Sequence, residues 1–311
     1  MKIAVMGTGG TGGYFGGLLA KQGNDVTFIA RGAHLAAIRE KGLQVRSVHG
    51  DFTIAPAHAT DVPAEIGTVD LVLFCTKTYD TETAATSMKP IVGSQTTVLS
   101  LQNGIDAAER IGAVVGTEHM LGGVAYVSSA VEAPGVIKQI SQFRRIVMGE
   151  LNGGATTRVR AIHEVLLATG AAAEIAQNIR SVLWAKFVFI CPASAVGSLT
   201  RLPMGGYREV PETRTIVAGL MQEVEAVAAA HGVPLAADVV DASLRFMDQA
   251  APHIKPSMQL DIEAGHRTEV ESMIGVLGRK GREVGVPTPM ADMVYGLLLP
   301  IELTARSWTA A

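Results

Sequence analysis

Lys186 stands in Val182-Leu-Trp-Ala-Lys-Phe-Val-Phe-Ile-Cys191, the only charge in that apolar run. A helix apolar on nearly all sides is buried, so its lysine either snorkels to solvent or faces a polar cavity. Burial disfavours the ammonium and pulls its pKa toward neutrality, which makes a usable proton donor. Such a group can polarise a carbonyl and protonate the oxyanion as hydride arrives. A second constellation opens the chain. The apolar run Lys2–Met6 reads as a strand and breaks into Gly7-Thr8-Gly9-Gly10-Thr11-Gly12, with a helical pattern from Tyr14 to Lys21. Strand, glycine loop and helix in that order form the fingerprint of dinucleotide binding. Gly7 permits the turn, Gly9 lets backbone approach a pyrophosphate, and Gly12 lets helix pack on strand. Amide groups at the helix N-terminus then face the phosphates. Gly7, Thr8, Gly9, Gly10, Thr11 and Gly12 are the candidate residues for that contact.

Three further positions lie where a doubly wound sheet binds ligands, at the carboxyl ends of strands. The strand Asp25–Ala30 ends in Arg31 rather than in the Asp or Glu that would hold a ribose 2′-hydroxyl. A guanidinium offers a 2′-phosphate a bidentate fork, so Arg31 favours NADP(H) over NAD(H). Lys77 follows the strand Val69–Thr76 and could add charge beside that phosphate or the adenosine; a surface lysine is an equal reading. Asn103, after Thr97–Leu101, is either the start of an Asn-Gly turn or a partner for the nicotinamide ribose or the substrate.

In the second half, Thr268-Glu-Val-Glu271 reads as a capping box opening a helix over 269–285, with Glu269 in its first turn. A carboxylate complementing the helix dipole is sufficient reason for Glu269, and Ser257 after Pro256 reads as an N-cap. Only an association with Lys186 would give either a part in chemistry.

The elements that must position these groups fall into two blocks. Strand patterns at 2–6, 25–30, 43–45, 52–54, 69–76, 97–101, 120–128, 135–141, 145–150 and 173–175 alternate with helical ones at 14–21, 33–41, 105–115 and 156–169. From residue 178 the pattern is helical throughout, at 181–200, 210–231, 235–250, 257–264, 269–285 and 289–305. The fold class expected is an α/β N-terminal Rossmann-type domain over 1–177 and an all-α C-terminal domain over 178–311. A cleft between them would bring nicotinamide and substrate together.

Composition narrows the classes. The 311 residues are 48% hydrophobic and 18% charged, with a formal net charge of −3 and no basic stripe, which argues against nucleic acid. Cys75 and Cys191 both sit in apolar runs, as reduced thiols of a cytoplasmic protein do. The eight histidines lack metal-ligand spacing, so no metal is expected. No signal peptide is expected, and no apolar stretch is expected to reach the roughly 20 residues of a bilayer span.

Taken in order, these motifs resemble the ketopantoate reductase family, the NADPH-dependent 2-dehydropantoate 2-reductases. The resemblance covers the whole chain: the glycine loop, Arg31, Lys77, Gln102-Asn103-Gly104, Trp184-Ala-Lys186, Pro256-Ser-Met-Gln-Leu-Asp261 and Thr268-Glu269, with the family's spacing from Ser257 to Glu269. It implies Lys186 as general acid on the 2-keto oxygen and Glu269 orienting that lysine and binding the substrate hydroxyl. Ser257 would help hold the carboxylate, and Asn103 would bridge cofactor and substrate. The product implied is D-pantoate, on the route to pantothenate and coenzyme A, and dimers are common in such reductases. The family pattern has asparagines where this chain has Ile190, Ser194 and Met204. Ser194 keeps a hydroxyl for substrate; the other two are apolar, and lost hydrogen bonds of this kind redirect specificity. Pro192 is expected to kink its helix. Beside a ketopantoate reductase stand two alternatives: a reductase of another 2-oxo acid or ketone, and a non-catalytic NADPH-binding sensor.

Overall fold

The computed structural model describes the backbone of residues 1–309 and the side chains of residues 1–305. The chain divides into two compact units, residues 1–102 with 107–179 and residues 103–106 with 180–311. Ala310 and Ala311, the end of the expected second domain, lie outside the described residues.

The first unit contains β1 (Lys2–Met6), α1 (Gly10–Lys21), β2 (Asp25–Ile29), α2 (Gly32–Lys41), β3 (Leu43–Ser47), β4 (Phe52–Ile54), β5 (His58–Thr60) and β6 (Leu71–Phe74). It continues with α3 (Thr81–Met88), β7 (Thr97–Ser100), α4 (Ala107–Val115), β8 (Met120–Ala133), β9 (Val136–Glu150), α5 (Thr157–Ala168) and β10 (Ala172–Ile175). The sheet runs β4-β3-β9-β8-β7-β6-β1-β2-β5, with β10 also paired to β9. From β5 through β2, β1, β6 and β7 to β8 every pairing is parallel. The chain moves outward from β1 to β2 and β5, then returns to the other side of β1 for β6, β7 and β8. Strand order therefore reverses between β1 and β6, the place where open parallel sheets bind ligands.

β1 shows why these strands read as continuous apolar runs. Ile3 and Val5 join one core cluster with Phe15, Phe28 and Leu73, while Ala4 and Met6 join another with Val72, Phe74, Ala84 and Ile111. Successive residues point to opposite faces, and both faces are covered.

Several elements differ from expectation. β9 is one strand where two were expected. Its polar middle breaks the apolar alternation, but pairs such as Ser129↔Gln139 and Tyr126↔Arg145 hold it to β8, and two register shifts absorb the irregularity. β5 spans too few residues to show a period. α3 is rich in Thr and Ala, so its apolar contrast is weak.

The second unit is helical: α6 (Ile179–Thr200), α7 (Met204–Arg208), α8 (Pro211–Ala230), α9 (Val239–Gln249), α10 (Ser257–Glu263), α11 (Val276–Val284) and α12 (Pro289–Thr309). α6 begins one residue inside the first unit. A π-helical turn, Glu271–Gly275, leads into α11. The core gathers Phe187, Val188, Leu220, Met221, Val224, Ile274 and Leu298. α6 corrects one expectation: its 22 residues are long and apolar enough to cross a bilayer. Most of that stretch is buried within the protein, as the central helix of a packed core would be. Pro192 lies inside α6, which continues through it.

Candidate active site

The glycine loop is built by clearance. Gly7 has φ +94°, and a Cβ there would lie 2.8 Å from the Thr76 backbone nitrogen at the end of β6. A Cβ on Gly12 would lie 2.1 Å from the Gly7 carbonyl oxygen, and one on Gly10 would lie 2.2 Å from the carbonyl oxygen of Ser129 on β8. Gly9, the N-cap of α1, is different: its Cβ would meet nothing within 4 Å. Three glycines close the fold around the loop, and the fourth fronts open space at a helix N-terminus with no acidic residue in its first turn. That cradle fits a pyrophosphate, with amide donors and the positive dipole end in front of it.

Thr8 is turned inward. Its N–H and Oγ1 both donate to the Ile29 carbonyl, at 3.1 and 3.0 Å, and the residue is 3% exposed. Its hydroxyl thus ties the loop to β2. The Thr8 carbonyl is held by a residue the sequence did not single out. His34 accepts from the Gly135 N–H on Nδ1 at 3.0 Å, leaving Nε2 to donate to Thr8 O at 2.8 Å. Burial lowers the His34 pKa, favouring this neutral ring. No local pattern distinguishes such a histidine, because both partners are distant in sequence.

Arg31 is the N-cap of α2 and is exposed, with a long 3.8 Å ion pair to Asp80. A pair this open to water contributes little, so the guanidinium can turn to another anion. Lys77 precedes the short 3-10 turn Thr78–Asp80 that carries the same Asp80. Gln102 fixes the end of β7: its Nε2 donates to the Thr76 carbonyl and to Thr81 Oγ1, both at 3.0 Å.

In the second unit, Lys186 Nζ donates to Asn103 Oδ1 at 2.8 Å, across 83 residues of sequence. The sequence offered these as separate candidates; the fold brings them together. Desolvation pulls the Lys186 ammonium down to about 8, and the negative charge of Glu269 opposes that shift. Glu269 is itself only 6% exposed. A carboxylate and a carboxamide oxygen therefore both act on one half-buried, proton-bearing nitrogen.

The surroundings of this cluster correct two further readings. The capping box does not form, because the Thr268 N–H and hydroxyl both donate to Glu302 on α12, at 2.7 and 2.6 Å. Glu271 instead accepts from Tyr295. Ser257 is the first residue of α10 rather than its cap, which is Pro256, and it is exposed. Ile190 and Ser194 lie one and two turns beyond Lys186 on the same face of α6. Ile190 is half-buried and Ser194 is 2% exposed. Met204 belongs to the apolar core at 1% exposed, so this replacement of a family asparagine has become packing.

Residues 3–153 match the model described as ketopantoate reductase PanE/ApbA, and residues 178–302 match its C-terminal counterpart. The chain belongs to the ketopantoate reductase family. A crystal structure of a PanE/ApbA family ketopantoate reductase from Ralstonia eutropha is 32% identical and superposes with a TM-score of 0.91, with 98% of this chain and 100% of that one covered. A 2-dehydropantoate 2-reductase of Mesorhizobium japonicum is 29% identical, with 96% of this chain and 97% of that one covered. D-mandelate dehydrogenase, solved as a ternary structure with NADH and anilino(oxo)acetate, is also similar: 26% identical, TM-score 0.90, 98% and 99% covered. Ketopantoate reductases are oxidoreductases, and family membership gives this chain that class.

Proposed function

We propose that the chain is an NADPH-dependent reductase of a 2-oxo acid, with ketopantoate as substrate and pantoate as product. The observation that carries this reading is Lys186, a half-buried ammonium whose pKa desolvation pulls down to about 8, hydrogen-bonded to Asn103 and facing the charge of Glu269. A nicotinamide dinucleotide, when bound, supplies the hydride. Gly7–Gly12 would hold its pyrophosphate, and Arg31, with Lys77, the 2′-phosphate. Lys186 polarises the 2-keto oxygen and gives it a proton as negative charge develops there, in surroundings dry enough to strengthen that interaction. Glu269 keeps the lysine charged and oriented, and Asn103 holds the ammonium from the other side. Ser257 and Ser194 are the hydroxyls assigned to the substrate.

A second reading has one specific support. Ile190, one turn from Lys186, offers no hydrogen bond, and the similar D-mandelate dehydrogenase was solved with anilino(oxo)acetate, a 2-oxo acid carrying an aromatic group. That combination favours a 2-oxo acid with a bulky apolar substituent.

Purified enzyme assayed with ketopantoate and phenylglyoxylate, each with NADPH and NADH, tests both readings. Ketopantoate with NADPH is expected to give the highest kcat/KM. Faster turnover of phenylglyoxylate would replace the ketopantoate assignment by the second reading. Arg31→Ala is expected to raise the KM for NADPH roughly 10- to 100-fold, the scale of one or two charge-assisted hydrogen bonds. The NADH values should stay within about 3-fold; equal losses for both cofactors would remove Arg31 from the 2′-phosphate.

A further inference from the structure

The short segment Asn103–Asp106 leaves the first unit's sequence and belongs to the helical unit, while the residues on either side of it do not. Its attachments there are specific. Asn103 Oδ1 receives the Lys186 hydrogen bond. Gly104 has φ +96° and packs so close that a Cβ would lie 3.0 Å from the Ser272 carbonyl oxygen, so only glycine fits without strain. Ile105 packs on the helical core. Asp106 is 6% exposed, with Oδ2 3.5 Å from Arg279 Nη2.

Arg279 forks. Its other terminal nitrogen, Nη1, lies 3.3 Å from Glu271 Oε2, and Glu271 Oε1 accepts from the Tyr295 hydroxyl at 2.5 Å. Gly275 leaves room for this: a Cβ there would lie 2.9 Å from both the Glu271 carboxylate and the Tyr295 ring. Glu271 opens the π-helical turn, and the Glu269 carbonyl accepts from Ser272 and Met273 N–H at 3.0 and 2.9 Å. A π turn adds a residue to the helical circuit and recurs at functional sites. Here it puts Glu269 and Glu271 on one rigid piece. One of them faces Lys186 directly, and the other reaches Asn103 through Arg279 and Asp106.

We infer that Asp106 and Arg279, braced by Glu271 and Tyr295, are positioning residues that hold the Asn103 carboxamide against the Lys186 ammonium. The inference deepens the proposed function and rests on Lys186 as its proton donor. The Arg279–Glu271 contact is close to half exposed on both sides, so as a surface pair it contributes little to stability. Its effect falls on geometry. Glu269, from the segment ahead of the π turn, and Asn103 both face Lys186. Asp106, Arg279 and Glu271 face the turn that carries Asn103. A displaced Asn103 no longer accepts from the ammonium, which makes the charged form easier to deprotonate.

The test compares Arg279→Met, Arg279→Lys and Asp106→Asn with the parent enzyme. Arg279→Met and Asp106→Asn are expected to lower kcat about 10-fold or more, as a misplaced reacting group does. Kd for NADPH should stay within about 2-fold, and the alkaline limb of the kcat profile should move to lower pH by roughly half a unit. Arg279→Lys should recover most of the loss. A crystal structure of Arg279→Met should show the Asn103 Oδ1–Lys186 Nζ hydrogen bond broken. An intact bond in that variant, or an unmoved alkaline limb in both Arg279→Met and Asp106→Asn, overturns the inference. Tyr295→Phe serves, with the same readouts, if Arg279→Met fails to fold. Turnover surviving in Lys186→Ala would defeat the proposed function instead, and the crystallographic distance would still decide the positioning role.

Discussion

The glycine loop and the Lys186 cluster are built in opposite ways. The loop is contiguous backbone: Gly7 to Gly12 arrange amides by having no side chains, and only Gly9 faces open space. The cluster is all side chain, assembled from Asn103, Lys186 and Glu269. A backbone cradle binds and does not titrate. A half-buried lysine beside a carboxylate and a carboxamide binds little by itself and can move a proton. The two kinds of construction separate cofactor affinity from turnover, so substitutions in each should leave the other function standing.

The largest break in that comparison is Lys186→Ala. Turnover is expected to fall on the order of 10³-fold, the scale of a lost general acid. NADPH affinity, read by nucleotide fluorescence, should remain within about 3-fold. Substrate-dependent NADPH oxidation at a near-parent rate would remove Lys186 from the chemistry. A smaller effect is expected from the loop. Gly9→Val enters open space, so thermal stability should hardly change, yet on the proposed reading the branched side chain would stand in the place of the pyrophosphate. Kd for NADPH should rise roughly 10- to 100-fold, equivalent to one or two good hydrogen bonds to charge. Gly12→Val is the contrast, since even its Cβ would lie 2.1 Å from the Gly7 carbonyl. It should fail by stability, on the order of 2 kcal/mol or more. Equal cofactor affinity in the parent and Gly9→Val would deny that the pyrophosphate lies against Gly9.

The same contrast explains how much could be read before the structure. The loop was legible because its chemistry is local: a strand, spaced glycines and a helix within a short stretch. The parallel strands and the long helices were legible too, from apolar runs and periodicity. Lys186 stood out as one charge in an apolar helix and Asn103 as a residue at a strand end, but their pairing did not, since they lie 83 residues apart. The capping box over Thr268–Glu271 was a sound local pattern that lost to a distant competitor: Glu302 takes both Thr268 donors. The Thr8 bond to Ile29 across the β1–β2 pair is another long-range contact with no local signature. His34 gave no sign because its bonds to Thr8 and Gly135 depend on tertiary placement. Local sequence encodes the backbone site, whereas long-range packing decides the side-chain one.

The finest distinction between the two regions is their response to pH. Lys186 titrates near 8, lowered by burial and partly restored by the charge of Glu269. On the proposed reading, reduction needs the ammonium. Its rate should be flat below that value and then fall about tenfold for each further pH unit. Oxidation of the hydroxy acid needs the neutral amine as base, so it should climb as pH rises to the same midpoint and then level off. Glu269→Gln removes the carboxylate that favours the charged form, which should carry the limb of the reductive profile to lower pH. On the proposed reading NADPH is held by backbone amides and Arg31 rather than by the lysine, so its affinity should vary by no more than about 2-fold over the same range. A reductive kcat unchanged between pH 7 and about 9.5 would mean that some group other than Lys186 delivers the proton. A cofactor affinity that fell in step with kcat would mean that the two regions share a titrating group, and the division between a binding loop and a proton-transferring cluster would not hold.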